Sequence, residues 1–183
     1  HLLLKLAQQN QSVRALYRNG ANLERVKTVF SYYSKNSKSL YENIDWVEAD
    51  LNDLPKLTLA FKDITHVFHC AAYISFDHCN YKIWHETHIK GTANIVNLSI
   101  VNKVKKLCYV SSVATLGYGG DLITEENQWD GNQNKSVYAI SKYGAEMEVW
   151  RASQEGLAVV SVNTGVSLGP VFWNSGRCRL FKL

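Results

Sequence analysis

Tyr138-Ala139-Ile140-Ser141-Lys142 sets a phenol and an ammonium four positions apart, so a helix through this stretch stacks them one turn apart on one face. A protonated lysine beside a tyrosine favours the phenolate, and a phenol so tuned can exchange a proton with a substrate hydroxyl. Upstream by 26 residues, Val110-Ser111-Ser112 closes an apolar, strand-like run. There Ser112 can donate a hydrogen bond to the carbonyl oxygen or alkoxide that the tyrosine also contacts. The chemistry expected of this constellation is proton transfer at an oxygen, with Ser112, Tyr138 and Lys142 as the candidate catalytic residues.

These side chains need a scaffold, and the hydrophobic pattern supplies one. Short apolar runs predict strands at Ser12–Tyr17, Ile44–Glu48, His66–Cys70, Lys106–Ser111 and Ala158–Asn163, rich in Val, Ile and aromatics as doubly buried strands should be. Between them, helical periodicity covers Leu2–Gln9, Ala21–Tyr33, Leu54–Phe61, Tyr81–Asn102 and Ser136–Gln154. Asn19-Gly20, Gly119-Gly120 and Asp130-Gly131 read as turns, and Gly156 as a left-handed helix cap. There is no internal repeat and no low-complexity segment except the mildly Ser/Lys-rich Ser31–Ser39. Strands alternating with helices predict an α/β fold, a doubly wound parallel sheet of Rossmann type, whose ligand crevice lies beyond the carboxyl ends of the strands.

Composition narrows the class. A chain of 183 residues with 46% apolar content can bury one sizeable core. The net charge of +4 is dispersed, with Lys103, Lys105 and Lys106 as the one tight basic cluster, so charge alone gives no case for nucleic acid. No apolar run approaches the ~20 residues of a membrane span. Cysteines at 70, 79, 108 and 178 form no CxxC pair, and a reducing, cytoplasmic setting is expected. The first residue is His1 and a helix pattern begins at once, while the last residues carry no polar tail; truncation at both ends is the expectation.

Cys108-Tyr109-Val110-Ser111-Ser112-Val113-Ala114-Thr115-Leu116-Gly117 followed by Tyr138-Ala139-Ile140-Ser141-Lys142 resembles the serine and YxxxK segments of the extended short-chain dehydrogenases/reductases. The likeness is greatest to the dihydroflavonol 4-reductase and 3β-hydroxysteroid dehydrogenase branch, next to the sugar epimerases. Val67-Phe68-His69-Cys70-Ala71-Ala72 resembles the family's strand-four segment, and Asp50-Leu51 the pair that faces the adenine. Thr87-His88-Ile89-Lys90-Gly91-Thr92 resembles its N-V-x-G-T segment, and Val162-Asn163-Thr164-Gly165-Val166-Ser167-Leu168-Gly169-Pro170 its N-P-G-x-x-x-G-P segment.

The resemblance implies hydride transfer between a nicotinamide cofactor and a carbonyl or alcohol substrate. In that scheme Tyr138 moves the proton, Lys142 holds the ribose and Ser112 positions the oxygen, without a metal. It also implies cofactor contacts from Arg18, Asp50, Leu51, Cys70, Ala71, Ala72, His88, Tyr138, Lys142 and Thr164. After Ser12–Tyr17 an NAD enzyme would place an acidic residue for the ribose 2′-hydroxyl, whereas Tyr17 and Arg18 stand here. A guanidinium can pair with a 2′-phosphate, so NADP is favoured over NAD.

Departures and alternatives frame that expectation. The Gly-rich phosphate loop and first strand are absent from this sequence, most of a C-terminal substrate domain is expected to be absent too, His88 stands where the family has asparagine, and Thr164 where it has proline. A sugar-nucleotide epimerase/dehydratase and a non-enzymatic NADP-binding sensor on the same fold are the alternatives, and the expected partner is a carbonyl, alcohol or sugar-nucleotide substrate. A homodimer is compatible with the fold, and no nucleic-acid partner and no membrane span are expected. His66, His69, Cys70, His78, Cys79, His85 and His88 crowd one segment, but His66 and His69 at strand spacing point to opposite faces, against a converging zinc site. Tyr73, Phe76, Phe172 and Trp173 could wall an apolar substrate.

Overall fold

Three leucines in succession open the chain, and α1 (Leu2–Gln8) turns Leu4 and Ala7 inward. The computed structural model describes residues 1–73, 81–117, 122–131 and 135–165, in two compact units, one from His1 to Asp50 and one beginning at Leu51. In the first, Asn10 takes the left-handed conformation at φ 56°, which asparagine tolerates better than most residues, and the chain reverses into β1 (Arg14–Tyr17). Then come α2 (Glu24–Tyr33), α3 (Ser37–Glu42) and β2 (Asp45–Glu48). β2 pairs with β1 in parallel, Arg14 opposite Asp45 and Tyr17 opposite Glu48.

Leu4, Ala15, Phe30 and Ile44 form this unit's core, with Leu40, Tyr41 and Trp46 packed against it. The mildly Ser/Lys-rich segment is partly helical, with α2 running to Tyr33 and α3, a helix the sequence pattern did not predict, beginning at Ser37. Leu40 and Tyr41 follow the polar residues directly, and Tyr41 stacks on Trp46 at 4.8 Å, so two apolar anchors decide a local structure that composition averages away.

In the second unit, Asp53 caps α4 (Leu54–Ala60) by accepting from the Lys56 amide at 3.2 Å, and Pro55 sits in the first turn, where its missing N–H costs nothing. β3 (His66–His69), β4 (Lys106–Ser112) and β5 (Val159–Thr164) then lie side by side in that order, all parallel. Between β3 and β4 run α5 (Tyr81–Trp84), a π-helical turn (His85–Lys90) and α6 (Gly91–Val101). The stretch expected as one helix is thus interrupted by a wider turn, a device common at functional positions. His88 is buried there and His85 exposed.

A 3₁₀ turn (Val113–Thr115) follows β4 directly, and α7 (Val137–Gln154) returns the chain to β5. Ser136 caps α7 by accepting from the Ala139 amide at 3.1 Å. At its other end Gly156 adopts φ 92°, and the Leu157 amide reaches the Ala152 carbonyl at 3.0 Å, closing the left-handed cap that the sequence signalled. Among the described residues no helix is long and apolar enough to cross a membrane.

Two contacts fix α7 and α6 within this unit. Glu146 of α7 is buried, 7% exposed, and its carboxylate gathers donors from three other directions. Ser111 donates to it from β4, the Asn163 amide from β5 at 3.2 Å, and the Trp150 indole from the next turn of α7 at 3.2 Å. The Thr115 hydroxyl lies 2.8 Å from both Glu146 and the Ser112 carbonyl, and accepts from Asn163 at 2.9 Å. The second contact is between Leu51 and α6. The Leu51 carbonyl accepts from Asn94 at 2.8 Å, and its side chain lies so close to Gly91 that an added Cβ would meet Leu51 Cβ at 3.0 Å and Cδ1 at 2.9 Å.

Glu146→Ala is expected to strand several buried donors and to destabilise the fold by about 3 kcal/mol, read as a lower urea midpoint; an unchanged midpoint would mean that the network is not what joins these elements. Gly91→Ala is expected to cost about 1–3 kcal/mol through overpacking against Leu51, and Gly91→Ala combined with Leu51→Ala should recover part of that loss in the same denaturation assay.

Candidate active site at the carboxyl end of the sheet

Tyr138 lies in the first turn of α7, half-buried. Its ring is held edge-on by Trp84 at 5.4 Å and by His88 at 5.9 Å between centroids. Its hydroxyl has no hydrogen-bond partner among the described residues. Ser112 ends β4 and is 7% exposed. The Ser112 oxygen accepts from the Ala114 amide at 3.2 Å, which leaves the hydroxyl proton free to be donated outward.

Lys142, one turn beyond Tyr138, is 2% exposed. The sequence places its ammonium beside the phenol of Tyr138; the structure gives it other partners. It donates to the Tyr109 hydroxyl at 2.7 Å and to the Val110 carbonyl at 2.8 Å, both on β4. Burial lowers the Lys142 pKa to about 8, against the opposing pull of Glu146. A buried ammonium needs acceptors, and the strand beneath α7 supplies two, leaving one of its three N–H bonds for a ligand or for Tyr138.

His88 has both ring nitrogens engaged. Nε2 accepts from the Tyr73 amide at 2.9 Å, so the neutral ring carries its proton on Nδ1, which lies 2.9 Å from the Ser141 hydroxyl. Ser141 in turn donates to the Tyr138 carbonyl at 2.8 Å. Burial, reinforced by the Lys142 charge, pushes the His88 pKa down to about 4. The ring sits 1% exposed behind Tyr138, and the asparagine-to-histidine departure thus comes with a complete set of internal hydrogen bonds. His69, on β3, is pushed lower still, to about 3, by burial and the same charge; its Nε2 lies 2.9 Å from Thr92.

The remaining expected cofactor residues fall in several places. Arg18 and Asp50, at the ends of the first unit's two strands, line one surface recess of about 340 Å³ together with Asn19, Gly20 and Ala21. Cys70, Ala71 and Ala72 emerge exposed from β3. Leu51 sits against Gly91 as described, and Thr164 at the end of β5 donates to the Ser111 carbonyl at 3.0 Å. His78, Cys79, Phe76, Phe172, Trp173, Cys178, Gly119-Gly120 and the segment from Val166 to Pro170 lie outside the described residues. Among those described, no three His, Cys, Asp or Glu side chains cluster as metal ligands.

Sequence reasoning missed Tyr109, Glu146, Ser141, Thr92 and Trp84. Glu146 was within reach, since it repeats the Tyr138–Lys142 spacing one turn further along the same face. Tyr109 carried a weaker signal, the strand alternation that puts Leu107, Tyr109 and Ser111 on the buried side of β4.

The family model for the NAD dependent epimerase/dehydratase family matches residues 1–180. Among curated relatives, the dihydroflavonol 4-reductase of Medicago sativa is 28% identical over 183 residues, covering 92% of this chain and 81% of that protein. The 3beta-hydroxysteroid-dehydrogenase/decarboxylase isoform 2 of Arabidopsis thaliana is 28% identical over 130 residues, 69% of this chain and 23% of that protein. The terminal R domain from the myxalamid PKS-NRPS biosynthetic pathway superposes with a TM-score of 0.81 at 26% identity, over 99% of this chain and 50% of that one. WbmG of Bordetella bronchiseptica, solved in complex with NAD, shares the fold at 19% identity with a TM-score of 0.67, over 88% of this chain and 47% of its own. The chain spans about half the length of these solved structures, and 46% of a relative from Synechocystis sp. that is 29% identical over 172 residues. The doubly wound Rossmann-type α/β expectation and the suspected branch both agree with these likenesses, and the match over nearly its whole length establishes that the chain belongs to the NAD dependent epimerase/dehydratase family.

Proposed function

We propose that the chain carries the proton-transfer residues and part of the dinucleotide site of an NAD(P)-dependent oxidoreductase acting on a carbonyl or alcohol substrate. The observation that carries this reading is a buried lysine ammonium one helical turn from a tyrosine whose hydroxyl has no partner among the described residues. A bound nicotinamide would supply or take up the hydride. Ser112 donates its free hydroxyl proton to the substrate oxygen. Tyr138 delivers a proton to that oxygen in reduction and removes it in oxidation, and the Lys142 charge favours the phenolate that the oxidative direction needs.

The fit to a dinucleotide rests on two features. In the first unit, Arg18 and Asp50 meet in one recess, suited to a ribose with its phosphate. In the second, Lys142 keeps one N–H for a ribose hydroxyl. Arg18, standing where an acidic residue would read the 2′-hydroxyl, supports NADP as the preferred cofactor. The curated reductase and dehydrogenase relatives support a carbonyl–alcohol couple over sugar epimerisation.

With NADPH and a dihydroflavonol in one assay, and NADP⁺ and a 3β-hydroxysteroid in another, nicotinamide absorbance reads turnover. Tyr138→Phe is expected to lower it by about 10²–10⁴-fold while NADPH binding, read by fluorescence, is kept; loss of binding instead of turnover would remove Tyr138 from the proton-transfer role. Arg18→Ala is expected to weaken NADPH about tenfold or more, through loss of a charge-assisted bond, and to leave NADH nearly unaffected. Equal weakening of the two would dismiss the 2′-phosphate reading.

A further inference from the structure

Lys142 is held from below by a residue that neither the sequence motifs nor the family description draws attention to. Tyr109 is 1% exposed, on the face of β4 covered by α7. Its hydroxyl oxygen is 2.7 Å from the Lys142 ammonium, which also lies 4.3 Å from the centre of the Tyr109 ring. An ammonium has only donors, so in this bond the phenol oxygen accepts and its own proton must go elsewhere. Thr92 of α6, whose hydroxyl lies 2.9 Å from His69 Nε2, stands beside that phenol.

We infer that Tyr109 is a positioning residue, whose hydroxyl anchors the Lys142 ammonium and keeps it protonated for proton transfer at Tyr138. The inference deepens the oxidoreductase reading and rests on it for the role of Lys142. The groups facing that ammonium are Tyr109 on β4, Glu146 on its own helix, His69 on β3, Cys70 just beyond β3, and His88 in the π-helical turn. His69 and His88 are neutral above pH 5 because burial holds both far below the ordinary histidine range. Burial pushes the Tyr109 phenol far up, so it stays protonated where the lysine titrates. Removing the Tyr109 oxygen withdraws an acceptor from the charged form of Lys142 alone, and the lysine should then lose its proton at lower pH.

The test is Tyr109→Phe, which keeps the ring and its packing. The Lys142 pKa is read by NMR of ¹³C-labelled lysine, with Lys142→Met assigning the resonance, and turnover is followed against pH with NADPH and a dihydroflavonol. In Tyr109→Phe the Lys142 pKa is expected to fall by about one unit, the size of one hydrogen bond to a charged group, and the alkaline limb of turnover to move down by the same amount. A general weakening of the fold would lower the amplitude and leave the limb where it was. An unmoved Lys142 pKa in a folded Tyr109→Phe protein would overturn the inference. Should that variant not fold, 3-fluorotyrosine placed at position 109 keeps the shape and makes the hydroxyl oxygen a weaker acceptor; a smaller fall in the Lys142 pKa upholds the anchor, and no shift overturns it. A shifted lysine in a protein that turns over neither probe would uphold the anchor and count against the oxidoreductase reading only.

Discussion

A single buried carboxylate joins the parts of the second unit on which the proposed chemistry depends. Glu146 draws Ser111 and Asn163, at the carboxyl ends of β4 and β5, and Thr115, in the turn after β4, onto the helix that carries Tyr138 and Lys142. A charge at this depth is tolerable only when its lone pairs are met by donors, so the strand ends and the helix cannot separate without exposing an unpaired anion to an apolar interior. The same residue faces Lys142 one turn away and partly offsets the cost of burying that ammonium. Packing would hold α7 near the sheet without Glu146, but the carboxylate sets the register in which Ser112 and Tyr138 are presented.

Polar groups below the site are arranged to resist protonation changes. Two histidines are held neutral by burial and by the nearby lysine charge, and His88 fills an acceptor role that a charged ring could not fill, its Nε2 taking the Tyr73 amide. Only a neutral ring satisfies that bond. Lys142 is consequently the charged member of a neighbourhood otherwise made of neutral donors and acceptors, together with Glu146. This polarity is what makes the Tyr109 oxygen valuable, since a buried ammonium has few acceptors to choose from.

The π-helical turn between α5 and α6 has a part in the same arrangement. It brings His88 inward behind Tyr138, and the Ser141 hydroxyl passes that contact on to the Tyr138 carbonyl. Trp84 closes the other side of the phenol edge-on. A ring confined by Trp84 and His88 loses little rotamer freedom when a ligand reaches its hydroxyl. Gly91, at the start of α6, lets Leu51 approach closely, so the residue expected to lie near an adenine is fixed by a helix rather than left to a loop.

The sequence by itself determined the alternation of strands and helices, the spacing of Tyr138 and Lys142 on one helical face, and the position of Ser112 at a strand end. Those properties are periodic or local, and the hydrophobic pattern and short motifs record them directly. It also carried the family, because ordered motifs over nearly the whole chain survive where overall identity is low. Tertiary structure alone decided which groups meet. Lys142 finds its acceptors 32 and 33 residues away in the chain, and Glu146 its Ser111 donor 35 away, at separations that no helical or strand period reports. The helix α3 was missed for the same reason: Leu40 and Tyr41 become helix-forming anchors only when Phe30, Ile44 and Trp46 are brought beside them.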